Sequence, residues 1–308
     1  MPHPATDAPA EQAIKALLEE IAPGSRLLAV AALPGSYSNF THLVDVRAAD
    51  SSRFRVVVRR YKVFGSYDRG EKARREFKTF ELLQRHGIPA PRPLYLDARG
   101  AMLGIPGIVT SYVPGSQVES PVDPVGWARA LAAVLARIHA VPCDEAAREF
   151  LLDANSEASW FLRSATAPDY MRAHPDGEAV WGAARDLWPG LCPVPPTLVH
   201  IDYWPGNILW QRGQIAAIVD WEEAAYGDPG IDVAYCRMEM VLGGVGHVAD
   251  EFLHAYETAR DRRVENLAFW ELAAAARPMF SPEGWITESP AREAFRHFIA
   301  GARRRAGY

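Results

Sequence analysis

Apolar residues recur along this chain with two different periods, and the change from one to the other organises it. Glu11 to Ile21 places Ile14, Leu17, Leu18 and Ile21 at helical spacing, closed by Pro23-Gly24. Three strand-like stretches follow: Arg26–Leu33, Phe40–Val46 and the valine-rich Phe54–Tyr61. Glu71–Arg85 returns to helical spacing, with Phe77, Phe80 and Leu83 on one side, and stops at His86-Gly87. The prolines between Ile88 and Pro93 predict an extended connector. Leu94–Asp97 and Ile108–Tyr112 are again strand-like and end at Val113-Pro114-Gly115. Beyond Gly115 the pattern turns helical, beginning with Val125–Ala140 and its stripe of Leu131, Val134, Leu135 and Ile138. The expectation is α+β: a small antiparallel β-rich part over residues 1–114, then a larger, mostly helical part over 115–308.

Composition narrows the class without naming a function. About half of the 308 residues are apolar and 23% are charged, as in an ordinary globular protein with a real core. The net charge of −5 excludes a nucleic-acid binder driven by overall basicity. Cys143, Cys192 and Cys236 lie far apart with no C-x-x-C pair, which speaks against a disulfide framework or a zinc site. Met1 to Ala10 lacks the pattern of a signal peptide, and no apolar run approaches the ~18 residues of a membrane span. These features predict a cytoplasmic protein with no membrane, nucleic-acid or obligate protein partner.

The informative stretch is Leu198 to Ala234, LVHIDYWPGNILWQRGQIAAIVDWEEAAYGDPGIDVA. A strand-like run enters His200-Ile201-Asp202, and four residues later comes Asn207. A hairpin, Asn207–Trp210 and Gln214–Val219 about Arg212-Gly213, then leads to Asp220, so polar residues stand at both of its ends. Phosphoryl transfer needs such a set: a carboxylate to take or orient a hydroxyl proton, and an amide oxygen and a second carboxylate for Mg²⁺. H-x-D, D-x-x-x-x-N and D-W in one register, followed by Gly227-Asp228-Pro229-Gly230-Ile231-Asp232, resemble the aminoglycoside phosphotransferase and choline kinase-like family of the protein-kinase-like superfamily. Leu131–Pro142 and Phe77–Pro93 resemble that family's corresponding helices and connector.

The resemblance implies a bilobal kinase-like fold with an N-terminal nucleotide-binding lobe and a C-terminal catalytic lobe. It implies transfer of the γ-phosphate of ATP or GTP to a hydroxyl of a small molecule. Asp202 is the residue expected to orient or deprotonate the acceptor, and Asn207 and Asp220 the Mg²⁺ ligands. Arg59 stands where kinases place a phosphate-binding lysine, with Glu76 as its natural partner and Glu71 as the other candidate. Ser36, in the loop Leu33–Asn39, is expected to meet phosphate oxygens. The backbone of Ser111 and Val113 is expected to meet the nucleobase edge. Asp232 is expected to accept backbone hydrogen bonds from the catalytic loop, with His139 and His200 in bracing roles. Ile201 departs from the Gly or Arg usual between His and Asp and is expected to pack inward. Trp204 and Trp221 are read equally as walls of the acceptor site or as core, and Glu222 as a solvated helix start, with contact to metal or a cationic substrate as the alternative.

Two other readings remain: a catalytically quiet nucleotide-binding protein of the same fold, and a protein kinase. The second is disfavoured because only seven residues separate Asp220 from Asp228, leaving no room for a regulated activation loop. The acceptor stays open between an aminoglycoside, a macrolide, another hydroxylated natural product and a metabolite such as an amino alcohol or sugar. A polycation would require convergent carboxylates, for which Asp153, Glu157, Asp250, Glu251, Glu257 and Glu271 are candidates.

Overall fold

The computed structural model describes residues 8–33, 39–63, 68–286 and 288–308. The chain divides into two compact units, one of residues 1–115 with 216–222, the other of 116–215 with 223–308.

In the first unit, α1 (Glu11–Ile21) precedes β1 (Arg26–Ala32), β2 (Asn39–Arg47) and β3 (Arg53–Tyr61). Then come α2 (Arg69–Arg85), β4 (Pro93–Asp97) and β5 (Gly107–Ser111). The strands form one antiparallel sheet in the order β1-β2-β3-β5-β4. Alternation along β3 sorts its residues onto two faces. Val56 and Val58, with Val44 and Val46 of β2 and Val109 of β5, pack on the apolar stripe Ile14, Leu17 and Leu18 of α1. Arg59 and Tyr61 point the other way and meet Glu76 of α2. Helix α2 begins where the Asp68 carboxylate caps the Glu71 N–H at 2.9 Å. Despite its polar composition it buries Lys72, Arg75 and Glu76, so part of its charged face is turned inward.

The second unit is mostly helical. It holds α3 (Pro124–Ile138), α4 (Glu145–Arg148), α5 (Ala154–Ala158), α6 (Asp169–Arg172) and α7 (Gly177–Leu187). The later helices are α8 (Gly230–Leu242), α9 (Ala249–Arg260), α10 (Leu267–Phe280) and α11 (Ser289–Arg305). Helices α8 and α10 are apolar nearly all round and form its centre, α10 packing on α7, α8 and α11. Three short strands, β6 (Leu152–Asp153), β7 (Thr197–Val199) and β10 (Ala225–Gly227), make a small sheet in the order β6-β10-β7. Between β7 and β10 runs the hairpin of β8 (Ile208–Gln211) and β9 (Gln214–Ile218), turning at Arg212 and Gly213 with positive φ of 51° and 76°.

The α+β class expected from the pattern is the class observed, and the elements delimited from the sequence end within two residues of their predicted limits, whereas the pattern sets no limits for α4 to α11. The sequence pattern missed β6 and β10, which are two and three residues long and carry no readable alternation. Among the described residues no helix is long and apolar enough to cross a membrane. Removing the cap of α2 with Asp68→Ala should lower stability by about 1 kcal/mol. Urea unfolding should show this as a lower midpoint with an unchanged slope.

Candidate active site

Two polar clusters arise, each complete within its own unit. In the first unit, Arg59 Nη2 lies 2.5 Å from Asp220 Oδ1 and 3.2 Å from Glu222 Oε2, while its Nε lies 3.4 Å from Glu76 Oε2. Glu76 also accepts the Trp221 N–H at 3.1 Å and the Tyr61 hydroxyl. Glu222 is buried; it accepts from Asn39 Nδ2 at 2.6 Å and pairs with Lys72 Nζ at 3.4 Å. Its carbonyl accepts from Arg75 Nη1 at 2.6 Å. Arg59 and Lys72 thus pair with three carboxylates in a largely buried cluster that Arg75 joins through a backbone carbonyl. Burial works against the Arg59 charge, but Asp220, Glu76 and Glu222 outweigh it, and its pKa rises above the ordinary arginine range. Burial pushes Glu76 up to about 7, with Asp220 and Glu222 adding to the rise and Arg59 opposing it.

The second cluster is built on the loop after β7. Asp232, on the first turn of α8, accepts the N–H of His200 and of Ile201, both at 2.8 Å, and meets His139 Nε2 at 3.1 Å. Tyr256 closes the set by meeting His139 Nδ1 at 2.6 Å. This clamp holds Ile201 at φ 69°, a left-handed conformation costly for a β-branched residue. On the other side of the same peptide, the Ile201 carbonyl accepts from Arg277 Nη1 at 3.0 Å. Asp202 follows, half-exposed, with its Oδ2 accepting from Asn207 Nδ2 at 2.8 Å. The same Nδ2 donates to the Asp202 carbonyl at 2.9 Å, so the Asn207 carbonyl oxygen is its remaining polar atom. Close approach makes Gly206 obligatory: a Cβ there would sit 2.2 Å from the Trp204 ring. Gly230 is required likewise, since its Cβ would sit 2.5 Å from the Trp270 ring where Asp228 turns the chain into α8.

Around Asp202 gather residues that sequence reasoning did not single out. Arg277 of α10 lies 3.8 Å from Asp202 Oδ1 and 3.3 Å from Glu223 Oε2, and its guanidinium stacks 4.3 Å from the centre of the Tyr235 ring. Burial raises the Tyr235 phenol far above its usual range, assisted by the Asp202 charge. Burial, then the Asp202 charge, pushes Glu239 up to about 8, with Arg277 opposing. Tyr235 and Glu239 stand one and two turns beyond Asp232 on α8, a spacing that could have flagged both. Arg277 carried no such signal, because only tertiary packing brings it to the loop.

Of the predicted site residues, the structure brings together Arg59, Glu76 and Asp220 in one unit, and Asp202 and Asn207 in the other. Glu71 is exposed at the start of α2, so the partner of Arg59 is Glu76. Ser36 lies outside the described residues. Ser111 ends β5, and its N–H already donates to the Arg92 carbonyl at 2.8 Å. Val113 is half-buried just beyond. The solvated reading of Glu222 is corrected, because three cations and Asn39 draw it into the interior. Trp221 is wholly buried and donates to the Ile218 carbonyl at 3.2 Å, which makes it core, whereas Trp204 is half-buried. Glu157 aside, the acidic candidates for a polycation site are engaged elsewhere. Asp153 caps α5, Asp250 pairs with Arg237, Glu251 with Arg129 and Glu257 with Arg263, while Glu271 is buried against Arg237 and Arg305.

A β-sheet unit carrying an arginine–carboxylate cluster and a helical unit carrying an H-x-D…N loop define a kinase-like phosphotransferase fold. The same fold occurs in choline kinase from Streptococcus pneumoniae, with a TM-score of 0.61 over 96% of this chain and 99% of that one, at 20% identity. The model of the phosphotransferase enzyme family matches residues 30–266, and the chain belongs to that family. It is 44% identical over 48 residues to a hygromycin-B 4-O-kinase from Escherichia coli, which is 16% of this chain and 14% of that protein. It is 25% identical over 169 residues to a homoserine kinase from Gluconobacter oxydans, 51% of each. The chain thus spans about half or less of the length of these relatives.

Two outcomes are expected of the helical cluster. Asp232→Ala leaves two buried N–H groups unsatisfied and should lower stability by about 3 kcal/mol, measured by urea unfolding. Glu239 holds its proton in the folded protein up to about pH 8, whereas the unfolded chain releases it near 4.5. Its contribution is therefore full below that lower value and is lost as pH rises through about 8. Glu239→Gln should flatten this part of the decline in a series of unfolding midpoints across that range.

Proposed function

We propose that this protein transfers the γ-phosphate of ATP or GTP to a hydroxyl of a small molecule. The observation that carries the reading is the Asp202 carboxylate. It is half-exposed, oriented by Asn207, and fixed on a left-handed turn that the buried Asp232 holds in place. In the reaction, the acceptor oxygen forms a bond to the γ-phosphorus while the bond from that phosphorus to the β–γ bridging oxygen breaks. The hydroxyl proton passes to Asp202, and the nucleoside diphosphate leaves with the bridging oxygen.

Arg59 is assigned to the nucleotide phosphates, Glu76 to holding it in place, and the backbone at Ser111 and Val113 to the nucleobase. Ser36 retains the phosphate-loop role that the family resemblance implies. The oxygens of Asn207 and Asp220 suit a hard cation such as Mg²⁺, which when bound neutralises phosphate charge. The acceptor class is narrower than the family as a whole, because none of the paired acidic residues above is positioned for a polycation.

One observation favours the quiet nucleotide-binding alternative. Arg59 is already paired to Asp220 at 2.5 Å, so a nucleotide with its cation must compete with an existing ion pair. Thermal stabilisation separates the readings. A ligand at a hundredfold excess over its Kd should raise stability by ~2.7 kcal/mol. The expected result is a Mg²⁺-dependent shift with ATP or GTP that Asp220→Ala abolishes, together with turnover that Asp202→Ala lowers about 10²- to 10⁴-fold. A shift without turnover on any hydroxyl acceptor selects the quiet reading. No shift with either nucleotide defeats both.

A further inference from the structure

The second unit exposes an aromatic cluster that the phosphoryl-transfer chemistry leaves unused. Trp160, in the short helical turn after α5, stacks on Tyr170 of α6 with ring centres 5.4 Å apart and planes 22° from parallel. Phe280, the last residue of α10, meets both edge-on, at 5.9 Å from Trp160 and 5.4 Å from Tyr170. Trp160 is 39% exposed and Phe280 61%, well beyond what rings of this size show in a core. The Tyr170 hydroxyl is turned into the protein and has no hydrogen-bond partner among the described residues, and burial raises its pKa, so it keeps its proton. The face offered to solvent by these side chains is therefore ring carbon, with the phenol turned away.

Position gives this surface a meaning. Phe280 lies three residues from Arg277 on α10, on the same side of the helix and about 4.5 Å further along its axis. Arg277 in turn touches both the Ile201 carbonyl and the Asp202 carboxylate. The aromatic face thus begins one helical turn from the residue that flanks the proton-accepting carboxylate.

We infer that Trp160, Tyr170 and Phe280 form a subsite for the acceptor, and that the acceptor is an alcohol with an apolar ring body. This rests on the assignment of Asp202 to the acceptor hydroxyl. A flat ring laid on this face buries apolar area on both sides, and the edge-on and stacked arrangements available to it are the favourable ones. A polyamine sugar gains little here. The neighbouring Arg277 is cationic, and Asp250, Glu251, Glu257 and Glu271 are paired with other arginines while Asp153 caps α5.

The test is equilibrium binding of 2-(2-naphthyl)ethanol to the full chain by calorimetry, without nucleotide, beside kanamycin and choline as cationic probes. The naphthyl alcohol should bind, Trp160→Ala and Phe280→Ala should each weaken it about 3- to 10-fold, and Trp160→Phe should restore most of the loss. Phosphorylation of the same alcohol should show these changes in KM rather than kcat. Absence of naphthyl alcohol binding, or binding indifferent to both alanine variants, overturns the subsite. Tighter binding of kanamycin or choline, weakened by the same variants, overturns the apolar class. A concentration-dependent dimer in sedimentation that Phe280→Asp dissolves assigns the face to a second copy of the chain and also overturns the proposal. Failure of the proposed phosphotransfer would appear separately, as the missing Mg²⁺-nucleotide shift in the unaltered chain.

Discussion

A carboxylate wholly removed from solvent is destabilising unless donors satisfy its oxygens, and Asp232 has three. Two of them are consecutive backbone N–H groups, and two neighbouring amides aimed at one carboxylate force the chain into a narrow range of dihedral angles. That requirement, rather than the side chain of Ile201, sets the left-handed turn before Asp202. The strain there is of the order of 1–3 kcal/mol, and the Arg277 contact to the Ile201 carbonyl adds a second restraint from the opposite direction. His139 and Tyr256 anchor Asp232 from α3 and α9, so the orientation of one half-exposed carboxylate depends on helices distant in sequence.

The first unit solves a different electrostatic problem. Arg59, Lys72 and Arg75 enter the interior together with Glu76, Asp220 and Glu222; Arg59 and Lys72 pair with these carboxylates, and Arg75 donates to the Glu222 carbonyl. Breaking one member would leave another buried and unpaired, which costs more than the pair contributes. Interdependence also explains why residues 216–222 belong to this unit although the chain on either side belongs to the other. Asp220, Trp221 and Glu222 each bond to β3 or α2. The positive φ of 67° at Asp220 marks where the backbone turns to let them do so.

Much of this was legible in the sequence, and the reasons are specific. The sheet could be read because β3 alternates Val56 and Val58 with Arg59 and Tyr61, and α1 because its apolar stripe closes at Pro23-Gly24. The H-x-D…N loop and the Gly227–Asp232 turn could be read because their spacing is local, while the backbone-accepting role of Asp232, whose partners lie 32 and 31 residues earlier, was implied by the family resemblance. What escaped was set by contacts across long sequence separations. Glu222 looks like any acid beginning a loop until Lys72 and Arg75, well over a hundred residues earlier, are known to meet it. Arg277 has no local pattern at all. Strands β6 and β10 escaped for a different reason: two or three residues cannot express a period.

The two clusters also differ in what they can discriminate. In the first, buried opposite charges leave little freedom, since any group that displaces a carboxylate at Arg59 must offer negative charge in nearly the same geometry. That part of the site is therefore tied to one kind of ligand. Asp202, by contrast, is half-exposed, with Arg277 beside it and Glu223 paired to that arginine. Under the reaction proposed above, selectivity among alcohols would come from surfaces further along α10 and α6, which take no part in the Asp232 clamp. On that proposal, a loop held by backbone hydrogen bonds leaves the exposed rings free to set the choice of acceptor. Membership of the family therefore fixes the reaction class far more tightly than it fixes the substrate.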